Sequence, residues 1–337
     1  MKIFYINVIE ENAGFGAECF VNRGFLLNGH ETITLDFRVN RYKLSSKFLE
    51  VADFDILFLQ RGDGFPLELL RAVNRPRFFW ASELVSRCRD QDQLLSSGLF
   101  EHIFVRTHEC IRAIVEKGWL PEEKLSILLS GFDELVQYRI PGVKKDIDVL
   151  FVGNVLPRRR RILDRLLKHY NVVEKLAFGK DMTELINRSK VVLNIHSEEF
   201  LDTETRVFEV LGCGGFLLTE ILSVENPFKS GVHLVEVDGL DEMIEKIGYY
   251  LNNEEQREAI AVQGHAEALA KHSYTQRAEE IAAVFHSHVQ RVLTPAINQG
   301  AVRSYVWTET VQGRVAQTKR DLITIKGKLQ KSLGRRK

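Results

Sequence analysis

The chain has 337 residues, which is enough for two domains that each bury a core of their own. Its 46 Lys and Arg residues balance its 46 Asp and Glu residues, so no overall charge favours nucleic acid as a partner. The four cysteines are far apart and include no Cys-x-x-Cys pair, which argues against a disulfide framework or a zinc site and favours a reducing cytoplasm. We expect neither a signal peptide nor a membrane-spanning segment, because no suitable apolar run is present.

The first half of the chain alternates short apolar runs with helix-like segments, which predicts a parallel sheet covered by helices on both faces. The predicted strands cover residues 2–8, 31–37, 55–60, 77–80, 100–105 and 125–128. The predicted helices cover residues 17–28, 66–73 and 109–117. On the first helix we expect Cys19, Phe20, Gly24 and Leu27 to share one buried side. These elements predict an α/β domain over residues 1–140.

The loop after the first predicted strand, residues 11–16, contains two glycines and invites comparison with a dinucleotide-binding motif. That motif needs a third glycine at a fixed position, and none stands there. An acidic loop would also repel a pyrophosphate. We therefore disfavour a nicotinamide-binding site at this loop.

A Pro/Gly stretch with basic residues, between residues 138 and 146, predicts a linker, after which the α/β pattern begins again. The predicted strands cover residues 147–152, 172–177, 191–195, 216–219 and 232–237. The predicted helices cover residues 158–170, 182–189, 206–211, 240–251 and 254–270, with one more that ends near residue 292. The second domain is therefore predicted over residues 147–292.

Residues 191–220 are the most informative stretch, because they combine a buried strand, a polar acidic loop, a short helix and a glycine turn. Gly212, Gly214 and Gly215 end the helix and allow close backbone approach before the next strand. Ligands of open α/β sheets bind at the carboxyl edge of the strands. The polar loop and the start of the helix are therefore predicted to border a binding site.

The same stretch resembles the donor-sugar half of GT-B glycosyltransferases, in particular the group-1 branch that includes the spore-maturation CgeB-like proteins. The residues that carry the resemblance are Arg206, Phe208, Glu209, Leu211, Cys213, Gly214, Gly215 and Glu220. The resemblance is strongest over residues 148–274 and weak over residues 1–140. It implies two Rossmann-like domains that face a cleft, and it implies that the loop at residues 11–16 faces that cleft.

The resemblance also implies a reaction, the transfer of a sugar from a nucleoside-diphosphate sugar to a hydroxyl acceptor such as a cell-surface glycan. Uridine diphosphate is the expected carrier on base rates. The transfer is expected to retain the configuration of the sugar and to need neither a metal ion nor a further cofactor. Two alternatives stay open: an epimerase or hydrolase of the sugar nucleotide, and a non-catalytic binding or scaffold protein.

The resemblance assigns roles around the predicted helix at residues 206–211. Glu209 would accept hydrogen bonds from both ribose hydroxyls, although an acid that favours the helix dipole is the alternative. Arg206 would stabilise the leaving diphosphate, although an ion pair with Glu209 or Glu204 is the alternative. Thr205 and the helix-start amides would add anion binding. Retaining relatives carry a second glutamate where Leu201 stands here, so the carboxylate on the sugar side is unassigned.

Other candidates stand at the ends of predicted strands of the second domain. Gly153 and Asn154 would lie against a phosphate, Asn194 and Gly214 would border the donor, and His196 could reach the sugar or the phosphates. Arg206 and His196 are the catalytic candidates.

Four consecutive arginines at residues 158–161 begin the next predicted helix, and neighbours on a helix point about 100° apart. We therefore expect only Arg158 and Arg160 to face the donor, unless the run is a solvated basic face. The candidates on the acceptor side are Asp63, Glu83 and His108, each at a strand end of the first domain.

The last segment, residues 293–337, is predicted to be a basic helical tail. From residue 313 onwards it holds nine Lys or Arg residues and one acid, Asp321. Leu322, Ile325, Leu329 and Leu333 recur at spacings of three and four. Such a helix could lie on an anionic membrane surface or pack its apolar stripe onto the body of the protein.

Overall fold

The computed structural model describes residues 1–85, 89–198, 200–289 and 294–334, without the side chains of residues 316, 317 and 320–334. The strands of the first domain are β1 (Lys2–Asn7), β2 (Glu31–Asp36), β3 (Ile56–Gln60), β4 (Arg77–Trp80), β5 (His102–Val105) and β6 (Leu125–Ile127). Its helices are α1 (Ala17–Leu27), α2 (Leu44–Glu50), α3 (Leu67–Arg71), α4 (Asp92–Leu95) and α5 (His108–Glu116). The strands form one parallel sheet in the order β2-β1-β3-β4-β5-β6.

The central strands of this sheet are buried on both faces, as their continuous apolar runs predict. In β1, Ile3 and Tyr5 join the apolar cluster on one face, while Phe4 and Ile6 join the cluster on the other face. All four side chains are inaccessible to solvent. Alternate residues of a strand point to opposite faces, so one short run supplies two cores.

The second domain begins at β7 (Ile147–Val152) and adds β8 (Val172–Lys175), β9 (Ser189–Asn194), β10 (Leu217–Glu220) and β11 (Val235–Val237). These strands form a parallel sheet in the order β11-β10-β9-β7-β8. The remaining helices are α6 (Pro157–Leu166), α7 (Gly179–Asn187), α8 (Thr205–Gly212), α9 (Leu240–Asn252), α10 (Glu254–Lys271), α11 (Tyr274–His286) and α12 (Gln299–Gly334). The predicted fold class, two α/β domains with parallel sheets, is confirmed.

Helix α1 buries Phe20 and Gly24 of the predicted side, but not Leu27. Phe20, Val21, Gly24 and Phe25 are buried, whereas Leu27 is 60% exposed. The reason is the partner of the helix. Helix α11 packs along α1 and covers the face on which Phe20 and Gly24 lie.

Helix α11 follows the second domain in sequence but packs on the first sheet. Tyr274, Ala278, Ile281 and Phe285 lie in the same apolar cluster as Ile3 and Tyr5 of β1. The segment predicted as the end of the second domain therefore returns to the first domain within the described residues.

The two connections between the domains run side by side. Phe132, on the way out, pairs with Ser273, on the way back, in an isolated parallel bridge. Its backbone N–H donates to the carbonyl of His272, and its carbonyl accepts from the N–H of Tyr274. Arg277 adds hydrogen bonds to the carbonyl of Ser130 at 3.2 Å and to Nδ1 of His272 at 2.8 Å. The two crossings therefore form one hydrogen-bonded unit.

The predicted helical tail begins on the first domain. Residues 296–298 exchange backbone hydrogen bonds with residues 72–74, and α12 then packs Val302 and Tyr305 against the body. The backbone of α12 is helical to Gly334. The side chains on which most of the predicted basic stripe depends, from residue 320 onwards, lie outside the described residues. Among the helices described, none is both long and apolar enough to cross a membrane.

Gly24→Ala should destabilise the protein, because α1 and α11 touch at this position. A Cβ atom on Gly24 would lie 2.6 Å from the carbonyl oxygen of Tyr274 and 2.8 Å from Cβ of Ala278. Overpacking of this kind costs about 1–3 kcal/mol. Gly313→Ala is the matched control, since its Cβ would meet its first neighbour at 3.6 Å. Chemical denaturation should show a loss for the first variant and no loss, or a gain of up to about 1 kcal/mol, for the second. Equal stability of the two would contradict the close packing.

Acidification should destabilise the protein through His272. Burial and the nearby positive charge of Arg277 lower the pKa of His272 to about 4, below its ordinary value of about 6.5. Between these values the unfolded chain binds a proton that the folded chain does not. The free energy of unfolding should therefore decrease as the pH is lowered through this window, by at most about 1.4 kcal/mol per pH unit.

Urea denaturation at several pH values between about 4 and 6.5 measures this slope. His272→Gln should have a shallower slope than the wild type. The exposed His169 gives the control variant His169→Gln, which should keep the wild-type slope. The same slope in all three proteins would rule out the contribution of His272.

Candidate functional site

Residues of both domains enclose a cavity of about 380 Å³. The first domain contributes Phe15, Gly16, Phe20 and Arg106, from the loop after β1, the start of α1 and the end of β5. The second domain contributes the ends of β7, β8 and β9 and the starts of α7 and α8. The carboxyl edges of both parallel sheets therefore border one cavity, at the position where α/β folds bind ligands.

One wall of the cavity is an apolar contact between the domains. The ring of Phe15 lies against the backbone of Gly179, where an added Cβ would be 2.5 Å from the ring. Phe15 remains 46% exposed, and Leu176 and Phe178 are 60% and 59% exposed. These side chains all line the cavity. Its mouth is therefore apolar, whereas its interior is charged.

The start of α8 supplies three of the polar groups in the cavity. Val207, Phe208, Val210 and Leu211 are buried on the other side of this helix, which turns Arg206 and Glu209 towards the cavity. Nη1 of Arg206 lies 2.8 Å from Oε2 of Glu209, so the ion pair that the sequence left open is present. Arg206 also contacts the sulfur of Met182. The hydroxyl of Thr205 lies 3.2 Å from that of Ser130.

Glu204 precedes α8 and belongs to a charged network with Arg159 and His196. Nη2 of Arg159 donates to both carboxylate oxygens of Glu204, at 3.1 and 3.3 Å. Burial alone would raise the pKa of Glu204, but the neighbouring His196 and the charge of Arg159 lower it. Arg159 is itself fixed, because Nε donates to the carbonyl of Ile195 at 2.7 Å. The network presents a guanidinium and an ionised carboxylate to the cavity.

His196, a predicted catalytic residue, does not line the cavity. It is 3% exposed, and its ring lies between the carbonyl of Ile221, 2.9 Å from Nε2, and the carboxylate of Glu204, 3.7 Å from Nδ1. Burial lowers the pKa of His196, but these two partners outweigh burial and raise it. His196 therefore lies beside Glu204 but outside the lining of the cavity.

Arg106 and Asp202 join the domains inside the cavity. Nη2 of Arg106 lies 2.8 and 2.9 Å from the two carboxylate oxygens of Asp202 and donates to the carbonyl of Thr203 at 3.3 Å. Burial raises the pKa of Asp202, and the charge of Arg106 opposes that rise. Arg106 is the cationic side chain that the first domain contributes to the cavity lining, and the sequence interpretation assigned it no role.

The arginine run faces the cavity through a residue that the sequence interpretation did not select. Arg158 makes two hydrogen bonds to Glu220, at 2.8 and 2.6 Å, and Arg160 makes two to Glu174, also at 2.8 and 2.6 Å. Neither lines the cavity, whereas Arg159 does.

The spacing along α6 explains this correction. Leu163 and Leu166 are buried, and Arg159 lies four and seven residues before them, on the same side of the helix. This periodicity is visible in the sequence and would have identified Arg159.

Gly214, a predicted donor-binding residue, lies away from the cavity. It follows the carboxyl end of α8 with φ of 68° and packs against the side chain of Arg139. Its N–H donates to the carbonyl of Leu211, and the N–H of Gly215 donates to that of Val210. This is a Schellman helix end, which favours glycine because of its positive φ. The glycine pair therefore serves the turn into β10.

The other predicted donor residues do come together. Those that line the cavity are Gly153, Asn154, Asn194, Thr205, Arg206 and Glu209. Asn194 is held at the end of β9, since its side-chain amide donates to the hydroxyl of Thr219 at 3.0 Å. The residues that the sequence interpretation missed are Arg106, Gln137 and Arg159, along with the apolar rim.

The candidates of the first domain lie outside this lining. Asp63 pairs with Arg38 at 2.7 Å, and His108 pairs with Glu225 of the second domain at 2.9 Å. Glu83 lies 3.4 Å from Arg61 and is half exposed. Their acceptor-side roles stay predictions. In the part of the chain that the structure describes, no three His, Cys, Asp or Glu side chains are grouped to hold a metal ion.

Residues 140–283 match a protein-family model described as glycosyl transferase-like. This segment contains the second sheet, α8 and most of α11. The chain is also 30% identical over 143 residues to an uncharacterized protein of Acanthamoeba polyphaga mimivirus. That match covers 40% of this chain and 50% of the relative, so the chain spans about half the length of this curated relative.

Solved glycosyltransferase structures share the two-domain arrangement. Anabaena HepE in complex with UDP-glucose superposes with a TM-score of 0.60 at 13% identity, covering 85% of this chain and all of HepE. Sucrose-phosphate synthase of Thermosynechococcus elongatus gives 0.60 at 12% identity, over 85% and 98% of the chains. An α-glucosyltransferase in complex with UDP and a 13-mer DNA gives 0.62 at 14% identity, over 85% and 99%. The chain therefore has the GT-B fold, and its second domain matches a glycosyl transferase-like family model.

Proposed function

We propose that the protein is a glycosyltransferase that moves a sugar from UDP-sugar to a hydroxyl acceptor such as a cell-surface glycan. The observation that carries the proposal is the charged cavity between the two sheets, with Arg206 and Glu209 at the start of α8. The GT-B fold and the family match over residues 140–283 support it. The neighbours in complex with UDP and UDP-glucose support uridine diphosphate as the carrier.

In the proposed reaction, the bond between the anomeric carbon and the diphosphate oxygen breaks, and a bond to the acceptor oxygen forms. The acceptor hydroxyl releases its proton, finally to water, and the diphosphate leaves with increased negative charge. Arg106, Arg159 and Arg206 all line the cavity and could stabilise this charge. The start of α8 adds the positive end of a helix dipole. These groups would stabilise the negative charge of the leaving diphosphate without a metal ion.

Glu209 is proposed to bind the ribose hydroxyls. Its carboxylate lies in the cavity and now accepts from Arg206 and, at 3.4 Å, from the side-chain amide of Gln137. A bound donor would take over these contacts: the diphosphate would pair with Arg206 and the ribose with Glu209. The exchange keeps each buried charge satisfied.

Asp202 and Glu204 are proposed to lie on the sugar side, near the place where retaining relatives carry their second glutamate. Both line the cavity, and both are held by arginines. Carboxylates can accept hydrogen bonds from sugar hydroxyls. Retention of the anomeric configuration and action in the cytoplasm also remain proposals. Proton NMR of the product made from UDP-glucose, with its anomeric coupling, would decide retention.

UDP should raise the unfolding temperature of the wild type but not that of Glu209→Ala. A ligand that binds the folded state stabilises it by about 2.7 kcal/mol at 100 times its dissociation constant. Thermal unfolding with UDP, GDP, TDP, ADP and CMP measures the response. Glu255→Ala, an exposed acid on α10, is the control and should keep the response to UDP.

Each other outcome of this screen counts against part of the proposal. No response to any nucleotide in a folded protein would refute the donor site and favour a scaffold role. UDP release from UDP-glucose with free glucose as the sole sugar product, whatever acceptor is supplied, would favour a hydrolase. Conversion of the donor into an isomeric UDP-sugar would favour an epimerase.

Arg159→Ala should weaken UDP binding, whereas Arg160→Ala should not. The two residues are neighbours, but Arg159 lines the cavity and Arg160 pairs with Glu174 outside it. Loss of a hydrogen bond to a charged group costs about 1.5–3 kcal/mol, which corresponds to a loss of affinity of about 10- to 100-fold. Isothermal titration with UDP measures both variants, and circular dichroism checks their folding. Equal affinities of the two variants would refute the assignment.

A further inference from the structure

Helix α12 packs on the first domain through one side only. Val302, Tyr305 and Glu309 are all buried, and helical geometry places them within about 60° of one another around the helix axis. Glu309 accepts hydrogen bonds from the backbone N–H and the hydroxyl of Ser45 at the start of α2. These contacts define the side of α12 that faces the body.

The opposite side of the same helix is apolar and exposed. Trp307, Val311 and Val315 follow one another at spacings of four residues and are 75%, 40% and 51% exposed. At about 100° per residue, Trp307 and Val311 lie across the axis from Val302 and Tyr305, whereas Val315 lies about 80° from Tyr305, at the edge of this side. In the sequence, Leu322, Ile325, Leu329 and Leu333 continue these positions, although their side chains lie outside the described residues. We call this side of α12 the outward stripe.

Charge in this protein is strongly divided between the tail and the rest of the chain. Residues 313–337 hold nine Lys or Arg and one acid, so the other 312 residues hold 37 basic and 45 acidic residues. A net charge of zero therefore hides a tail of +8 on a body of −8. Arg314 and Lys319, the two tail cations with described side chains, are exposed. A basic helix with an exposed apolar stripe suits an anionic lipid surface.

A groove of about 860 Å³ lies beside the outward stripe, between α12 and the first domain. Val311, Val315 and Lys319 border it from α12. Its two acids, Glu11 and Asp63, both pair with Arg38, at 2.7 Å each, so one guanidinium is shared between two carboxylates.

Other cationic and aromatic groups face the same groove. Arg41 and Lys319 lie at its rim and are exposed. Tyr42 also lines the groove. An aromatic side chain with cations around it is typical of the interface between lipid headgroups and acyl chains.

We propose that the outward stripe of α12 docks on an anionic bilayer. Trp307, Val311 and Val315 lie at the boundary of the acyl chains, and Arg314 and Lys319 lie among the lipid phosphates. The groove beside the stripe then opens towards the headgroup layer. The proposal goes beyond the transfer reaction and does not depend on it.

Sedimentation with vesicles tests the proposal on the full chain. The wild type should sediment with vesicles of phosphatidylcholine that contain about one-third phosphatidylglycerol, and much less with phosphatidylcholine alone. High salt should weaken the binding because it screens the cations. Val311→Glu should lower the partition by roughly tenfold, since it places a negative charge on the stripe. Val262→Glu on α10, where the valine is 48% exposed, is the matched control and should bind like the wild type.

The outcomes that overturn the proposal are distinct from those that would refute the donor site. No sedimentation of the wild type, or equal sedimentation of wild type and Val311→Glu, would exclude membrane docking through this stripe. Self-association of the wild type in gel filtration that Val311→Glu abolishes, without vesicle binding, would assign the stripe to a second copy of the chain. UDP titration of each variant shows whether the donor site is intact, whatever the vesicles report.

Discussion

The orientation of the two sheets depends on the paired crossings between the domains. Phe132 and Ser273 join the segment that leaves the first domain to the segment that returns to it. Arg277 donates to carbonyl groups of both segments. Phe132 also packs on Gly212 at the end of α8, where a Cβ would lie 2.3 Å from its ring. Helix α11 then fastens the returning chain to the first sheet. The start of α8 and the first-domain wall of the cavity are thus positioned by one hydrogen-bonded unit.

The cavity between the two sheets buries opposite charges in pairs. Arg106 pairs with Asp202, Arg159 with Glu204, and Arg206 with Glu209. Each arginine would be unstable in a partly dry cleft without its carboxylate. A diphosphate offers the same charge and geometry as those carboxylates. The empty and the occupied cavity can therefore both be electrostatically balanced.

The fold could be predicted from the sequence because it depends on burial, and buried strands leave continuous apolar runs such as residues 147–152. The site could be predicted in part. Arg206 and Glu209 carry a recognisable local pattern, whereas Arg106 belongs to another domain, and its partner Asp202 is 96 residues away. No local signal marks such a contact. Arg159 is a different case, because its spacing of four residues from the buried Leu163 is a local signal that the sequence does contain. The exposure of Leu27 depends on where α11 packs against α1, and the local sequence does not show that contact.

At the contact between Phe15 and Gly179, both domains form the wall of the cavity. The ring occupies the space that a side chain on the second domain would fill. A rotation that separates the domains at this contact would withdraw the ring and widen the mouth. A ligand that contacts Phe15 would oppose such a rotation, because it would bind more tightly while the ring is in place. The side chain of Phe15 would thus couple ligand binding in the cleft to movement of one domain relative to the other.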